Sequence, residues 1–300
     1  MPDGIVPTLA ELIALRSGAR PAAPARRGRR GISGQAPSPQ RGRGMEYAES
    51  RPYAHGDDAR HIDWRLTARS GTPHTKVFQA ERERLTLIVA DTDPALYFGT
   101  RVRFKSVQAA RIAAVAAWAA VRDGDRVAAL RASRREAPVP PAGGPRGALR
   151  VIDALVRWYA RQPPDDGGLP MALDHARRLL RPGSRVVVVG DALALAAIPP
   201  ARWAAMALHN DVVALLVVDA LEQAPPAAQL PFATDRTGAA ARLQLDLGSA
   251  VQRGRWHAVF MAPAEATVER LRALGVVAAI VRADAAADAW LPRGRAGAAT

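Results

Sequence analysis

Two groups of residues in this chain have the types and spacing that could do chemistry. The first is a set of aspartates, each delivered just after a short run of aliphatic residues. Asp91 and Asp93 follow LTLIVA at 85–90, Asp191 follows RVVVVG at 185–190, and Asp219 follows a further apolar run at 212–218. Carboxylates gathered at one edge can supply oxygen ligands to a hard divalent cation such as magnesium, and Asp91, Asp93 and Asp191 are the candidate metal ligands. The same residues also suit helix caps, because a carboxylate after a strand can accept the free N–H groups of the helix that follows.

The second group lies in the run GRGMEYAESRPYAHGDDARHIDWRLTAR at 42–69. His55, Asp57, Asp58, His61 and Asp63 contain ligand types, yet Arg43, Arg51, Arg60, Arg65 and Arg69 are interleaved with them. Guanidinium groups pair readily with carboxylates and would repel a metal ion, so this pattern points to mutual Arg/Asp satisfaction. Gly56, Asp57 and Asp58 suit a tight turn with side-chain to backbone bonds, and Trp64 is expected to bury against the domain.

No catalytic set is legible. The chain has no Gly-rich phosphate loop ending in Lys, no HExxH and no GxSxG, and it has no cysteine. Nucleotide hydrolysis, zinc proteolysis, nucleophile-elbow esterase chemistry, thiolate sites and disulfides therefore lack support. No catalytic and no cofactor-binding residue is named from the sequence. Ser106 reads as a helix cap and His175 as a surface or packing residue.

The elements that must position the aspartates alternate. Runs at 85–90, 126–130, 185–189, 212–218 and 276–281 are short and rich in branched residues, as in strands buried on both faces. Helical patterns fall at 106–121, 147–160, 170–180, 200–208 and 263–274, several opening on proline. Leu243, Leu245 and Leu247 alternate like a half-exposed strand within an otherwise irregular stretch at 221–248, and 138–145 reads as a Pro/Gly-rich loop. Strand and helix alternation predicts an α/β fold with a doubly wound, mostly parallel sheet, preceded by an irregular N-terminal segment. In such a sheet the ligand crevice lies beyond the carboxyl ends of the strands, where the aspartates fall.

At 300 residues and 49% hydrophobic content the chain can bury a real core, and its formal charge of +14 raises nucleic acid as a partner. Only Lys76 and Lys105 are lysines, while Arg, Ala, Gly and Pro abound, a bias that a GC-rich genome imposes throughout. Nucleic acid is thus not the expected partner, although Arg26, Arg27, Arg29 and Arg30 form a basic cluster. No apolar run reaches the ~20 residues of a membrane span, and the opening residues lack the pattern of a secretory signal, so a cytoplasmic protein without an integral membrane segment is expected. Thr8 caps a predicted short amphipathic helix through Arg16.

The run RGRGMEYAESRPYAHGDDARHIDWRLTARSG closely resembles the signature of the bacterial domain of unknown function 58 family, with its G-D-D-x-R-x-I-D-W core at Gly56, Asp57, Asp58, Arg60, Ile62, Asp63 and Trp64. The resemblance continues through Lys76, Phe78, Glu81 to Glu83, Asp91, Gly124 to Val127, Asp219 and Glu222. It implies a von Willebrand factor A-like, Rossmann-like domain whose sheet edge can hold a metal-ion-dependent adhesion site. That site in the wider superfamily uses Asp-x-Ser-x-Ser, a Thr and an Asp on three loops. Here the first loop has Asp91, Asp93 and Ala95, the second has Leu169 where the Thr would fall, and the third has Asp191, so the implied magnesium site is degenerate.

Relatives of this kind accompany MoxR-type AAA+ ATPases, so the resemblance implies a non-enzymatic protein-interaction adaptor acting with such an ATPase on a client protein. A metal-dependent phosphoester hydrolase using the strand-end aspartates is the alternative, and a nucleic-acid binder using the Arg-rich arm the second alternative. The expected organisation is a basic N-terminal arm at 1–44, the signature segment at 45–83, the α/β domain at 84–292 and a tail at 293–300.

Overall fold

A computed structural model of the protein describes residues 4–18, 45–80, 84–133, 136–162, 168–233 and 242–291. The Arg-rich cluster at 26–30, Glu81 to Glu83 and the tail from residue 293 lie outside them. The chain divides into two compact units, residues 27–83 and residues 1–26 together with 84–300.

Helix α1 (Leu9–Ala14) is capped by Thr8, whose hydroxyl accepts from the Glu11 amide. It belongs to the larger unit: Leu12 is fully buried, its carbonyl accepts from the Trp118 indole, and Glu11 pairs with Arg111.

In the smaller unit, β1 (Met45–Pro52) pairs antiparallel with β2 (His74–Ala80), and α2 (Trp64–Ser70) fills the connection. Each carboxylate of the signature has a local task. Asp57 accepts from the Ala54 amide and from Arg51 at 2.7 Å, closing the turn that Gly56 makes at φ 105°. Asp58 accepts from the amide and guanidinium of Arg60. Asp63 caps α2 through the Leu66 amide and takes the Ser50 hydroxyl on its other oxygen. Trp64 differs from expectation: it is 71% exposed. The half-buried residues of α2 are Leu66 and Thr67, and the short helix leaves the ring at its first position open to solvent.

The larger unit continues with β3 (Leu85–Ala90), α3 (Lys105–Arg122), β4 (Arg126–Arg131), β5 (Val139–Ala142), α4 (Gly144–Tyr159) and α5 (Gly168–Leu179). Then come β6 (Arg185–Asp191), α6 (Ala192–Ala196), α7 (Pro200–Ala207), β7 (Asp211–Val218) and α8 (Ala220–Gln223). The chain ends in β8 (Gln229–Ala233), β9 (Arg242–Asp246), α9 (Ala250–Phe260), α10 (Ala262–Ala273) and β10 (Val277–Arg282).

Six strands form one sheet in the order β10-β7-β6-β3-β4-β5, parallel except for β5. The doubly wound α/β fold is thus as expected. Two differences concern weakly patterned stretches. The predicted loop at 138–145 contributes β5, whose Pro140 and Pro141 are tolerated because an edge strand need not donate on its outer side. Helix α9 follows the irregular stretch and had no sequence signal, since its apolar residues do not share one stripe: Val251 and Val259 are exposed while Trp256 is buried.

Alternation along the strands feeds two cores. Ile88, Ala90, Val187 and Val189 pack with α1, α3 and α4 on one face. Leu87, Val89, Val186 and Val188 pack with α5, α6, α7 and α10 on the other. Burying a Leu or Val side chain contributes about 1.5–3 kcal/mol, and both faces of β3 and β6 gain it. At the amino edge of the sheet, Arg84 reaches Asp123, Asp125 and Asp211, while Arg185 donates to Asp123 and Thr86 to Asp125.

Candidate functional site

Strands β3 and β6 are neighbours whose onward connections run to opposite sides, so the carboxyl ends of these two strands flank the topological switch point where crevices form in doubly wound sheets. Asp91 stands at the end of β3 and Asp191 at the end of β6, and both are buried. Their approach depends on Gly190, where a Cβ would come within 2.6 Å of the Asp91 Cβ. Asp91 accepts the Asp93 amide on Oδ1 and the Asp191 amide on Oδ2, each at 3.0 Å. Burial outweighs these two bonds and raises its pKa to about 7. The Tyr159 hydroxyl donates to the Asp91 carbonyl at 2.6 Å, which ties α4 to the same point.

The cation at this edge is Lys105. Its side chain is 2% exposed, and the ammonium donates to Asp191 Oδ2 and Glu222 Oε1, both at 2.6 Å. Burial alone would pull its pKa down, but the two carboxylates more than offset that and hold it above the ordinary lysine value. Burial raises the pKa of Glu222, with Lys105 drawing it part of the way back. The other oxygen of each carboxylate is spent on backbone: Asp191 Oδ1 caps α6 through Leu193, and Glu222 Oε2 accepts the Asp219 amide in a capping box on α8. Asp219 also accepts from the amide and hydroxyl of Thr100.

The three predicted metal ligands are therefore only partly brought together. Asp91 and Asp191 meet through a backbone bond, whereas Asp93 turns to cap the 3-10 turn Pro94–Leu96 by accepting the Ala95 amide. Leu169 is buried in the core on α5 and contributes no oxygen. Among the described residues no group of three or more His, Asp or Glu side chains is arranged to hold a metal ion. Both oxygens of Asp91 and both of Asp191 are already engaged by amides and by an ammonium.

Ser106 does not cap α3, contrary to expectation. The helix begins one residue earlier, at Lys105, and the Ser106 hydroxyl is buried without a hydrogen-bond partner among the described residues. Neither Lys105 nor Glu222 was named as a site residue from the sequence. One signal was present: Lys105 is one of only two lysines in an Arg-dominated chain. A compact, flexible ammonium fits between two carboxylates where a planar guanidinium would need more room.

Beside this lock opens a cavity of about 590 Å³ with Lys105, Asp191 and Glu222 in its wall. The rest of the wall is mostly apolar, including Phe98, Leu193, Phe232, Leu245 and Trp256. Trp256 stacks at tilted angles on Phe232 and Phe260, with ring centroids 5.3 and 4.4 Å away. Its indole N–H donates to the Leu221 and Glu222 carbonyls, both at 3.1 Å. Glu222 thus joins the two features, its side chain held by Lys105 and its backbone by Trp256.

The sequence model described as Protein of unknown function DUF58 matches residues 49–260, a range that holds the signature core at 56–64, Asp91, Lys105, Asp191, Glu222 and Trp256. The chain belongs to this family. The uncharacterized proteins Rv1480 of Mycobacterium tuberculosis and Mb1516 of Mycobacterium bovis are each 33% identical to it over 186 residues, which is 59% of this chain and 56% of theirs. The DUF58 chain thus spans about half the length of the curated relatives it matches. No solved structure matches it. Among its described residues, no helix is long and apolar enough to cross a membrane.

Proposed function

We propose that this DUF58 protein is a non-enzymatic interaction adaptor with a von Willebrand factor A-like domain, working with a MoxR-type AAA+ ATPase on a client protein in the cytoplasm. The observation that carries this reading is the pairing of an apolar cavity with a charge-locked strand edge. A hydrolytic site needs a free base, nucleophile or ion at the reacting position. Here Asp91, Asp191, Glu222 and Lys105 spend their polar atoms on one another and on backbone amides. An apolar concavity with tilted aromatic rings instead offers the kind of surface that protein recognition uses.

The strand order and the position of Asp91 and Asp191 support the von Willebrand A-like assignment. In place of the divalent ion that such an edge can hold, the reading makes Lys105 the resident cation. The exposed Trp64 supports a second contact surface on the smaller unit, because tryptophan is enriched among residues that dominate binding energy.

The test is reconstitution of the full chain with a purified MoxR-type ATPase, followed by size-exclusion chromatography. A complex is expected with or without EDTA, weakened by Leu193→Asp or by Trp64→Ala. Failure to form one in any nucleotide state would remove the ATPase partnership.

A further inference from the structure

The cavity beside Lys105 has a polarity that names its occupant. Its ionic base does not invite an anion, since two carboxylates, Asp191 and Glu222, already surround the single ammonium of Lys105, and their oxygens are each engaged. A ligand that inserted a charge there would have to break bonds already 2.6 Å long. The cationic group of the lining that remains available is Arg255, which is exposed on α9 and makes no ion pair with a described residue. Gln252, three residues earlier and therefore on the same face of α9, adds an amide donor to the lining. The rest of the lining is apolar or aromatic.

The apolar surface also extends beyond the cavity in one direction. Leu245 lines it, and Leu243, two residues away on the same face of β9, stands opposite Phe232 of β8 and is 48% exposed. On the helical side Val259 lines the cavity while 57% exposed, and Leu193 and Phe98 at the rim are 38% and 40% exposed. A compact metabolite would leave this stripe uncovered. An extended apolar chain would cover it.

We propose that the cavity binds the apolar C-terminal segment of a partner protein, its aliphatic or aromatic side chains against Phe232, Leu245, Trp256 and Val259 and its terminal carboxylate at Arg255. A chain terminus is a common source of a carboxylate within two or three residues of apolar side chains, and a guanidinium receives such a carboxylate in bidentate fashion. This deepens the adaptor reading and rests on it, by assigning a recognition chemistry to the surface beside the lock.

The test uses the full chain alone and fluorescence anisotropy of a fluorescein-labelled peptide, Gly-Gly-Ala-Leu-Phe-Leu, made with a free C-terminal carboxylate and as the C-terminal amide. Saturable binding of the acid is expected, with the amide about tenfold weaker, a difference in line with one charge-assisted hydrogen-bonding contact. Arg255→Gln should bring the acid down to the affinity of the amide and leave the amide unchanged. Leu193→Asp, at an exposed position and with its folding verified by circular dichroism, should abolish both.

Equal affinity for acid and amide, or no binding of either, overturns the proposal. Displacement of the labelled acid by decanoate at lower concentration than by the unlabelled peptide would also overturn it, in favour of a small amphiphile. Because no ATPase is present, the two readings fail separately. Peptide binding without an ATPase complex would remove the partnership alone, and an ATPase complex without peptide binding would remove the cavity's assigned ligand alone.

Discussion

Lys105 carries the heaviest consequence of any one side chain, because its buried ammonium is paired with two carboxylates at once. Replacing it with the similarly sized methionine would leave Asp191 and Glu222 without their cation, a loss expected to cost about 3–5 kcal/mol in urea unfolding. The double variant Lys105→Met/Glu222→Gln should recover part of that, and no recovery would argue that packing rather than charge sets the cost. Asp91 acts in the opposite sense. Its pKa is raised by burial to about 7 in the folded protein against 3.8 for the free group. The native state then binds a proton that the unfolded state releases, so this residue's contribution is full below about pH 4, is lost as pH rises to about 7, and is flat above. The span is on the order of 4 kcal/mol. Urea melts at pH 5 and pH 8 should show a smaller drop in Asp91→Asn than in the natural protein. Equal drops would refute the assignment.

Among the elements, α2 and the amino edge of the sheet separate local from long-range causes. Asp63 caps α2, and Asp63→Ala should cost about 1 kcal/mol, read as faster hydrogen exchange in the first turn of that helix. Trp64→Ala, which removes an exposed side chain from the same helix, should stay within about 0.5 kcal/mol in thermal unfolding. The expectation that Trp64 fills a core position is thereby replaced by one of partner binding lost without stability. At the amino edge, Arg84 forks onto both oxygens of Asp125 and reaches Asp211. Arg84→Ala should cost about 3 kcal/mol, and Arg84→Lys should rescue little of it, since a point charge cannot span the two carboxylates.

For the molecule as a whole, the fit of the strand edge to an ammonium rather than a divalent ion has a direct measurement. A ligand that binds only the native state raises the melting temperature, by an amount that grows with the logarithm of its concentration over Kd. Millimolar magnesium or manganese should leave the melting temperature where EDTA leaves it. A metal-dependent rise that disappears in Asp191→Asn would restore the adhesion-site reading that the family resemblance first suggested. The large positive charge of the chain bears on a different property, non-specific attraction to anions, and it plays no part in how the edge is built.

Periodicity and punctuation alone determined the alternation of strands and helices, the doubly wound class and the delivery of Asp91 and Asp191 beyond strand ends, because buried parallel strands must be continuous apolar runs closed by polar turns. The signature at 56–64 was likewise legible as a set of turns and caps, since Gly56, Asp57, Asp58 and Asp63 act on backbone within a few residues of themselves. What only the tertiary structure decided is every contact between residues distant along the chain. Lys105 meets partners 86 and 117 residues away, and a single lysine opening an alanine-rich helix announces neither of them. Helix α9 turns Trp256 toward Phe232 across the β8–β9 ribbon, so the cavity exists only once three separately weak sequence patterns pack together. Trp64 shows the same limit in reverse: its hydrophobicity promised burial, and its place at the first turn of a short helix left it facing water.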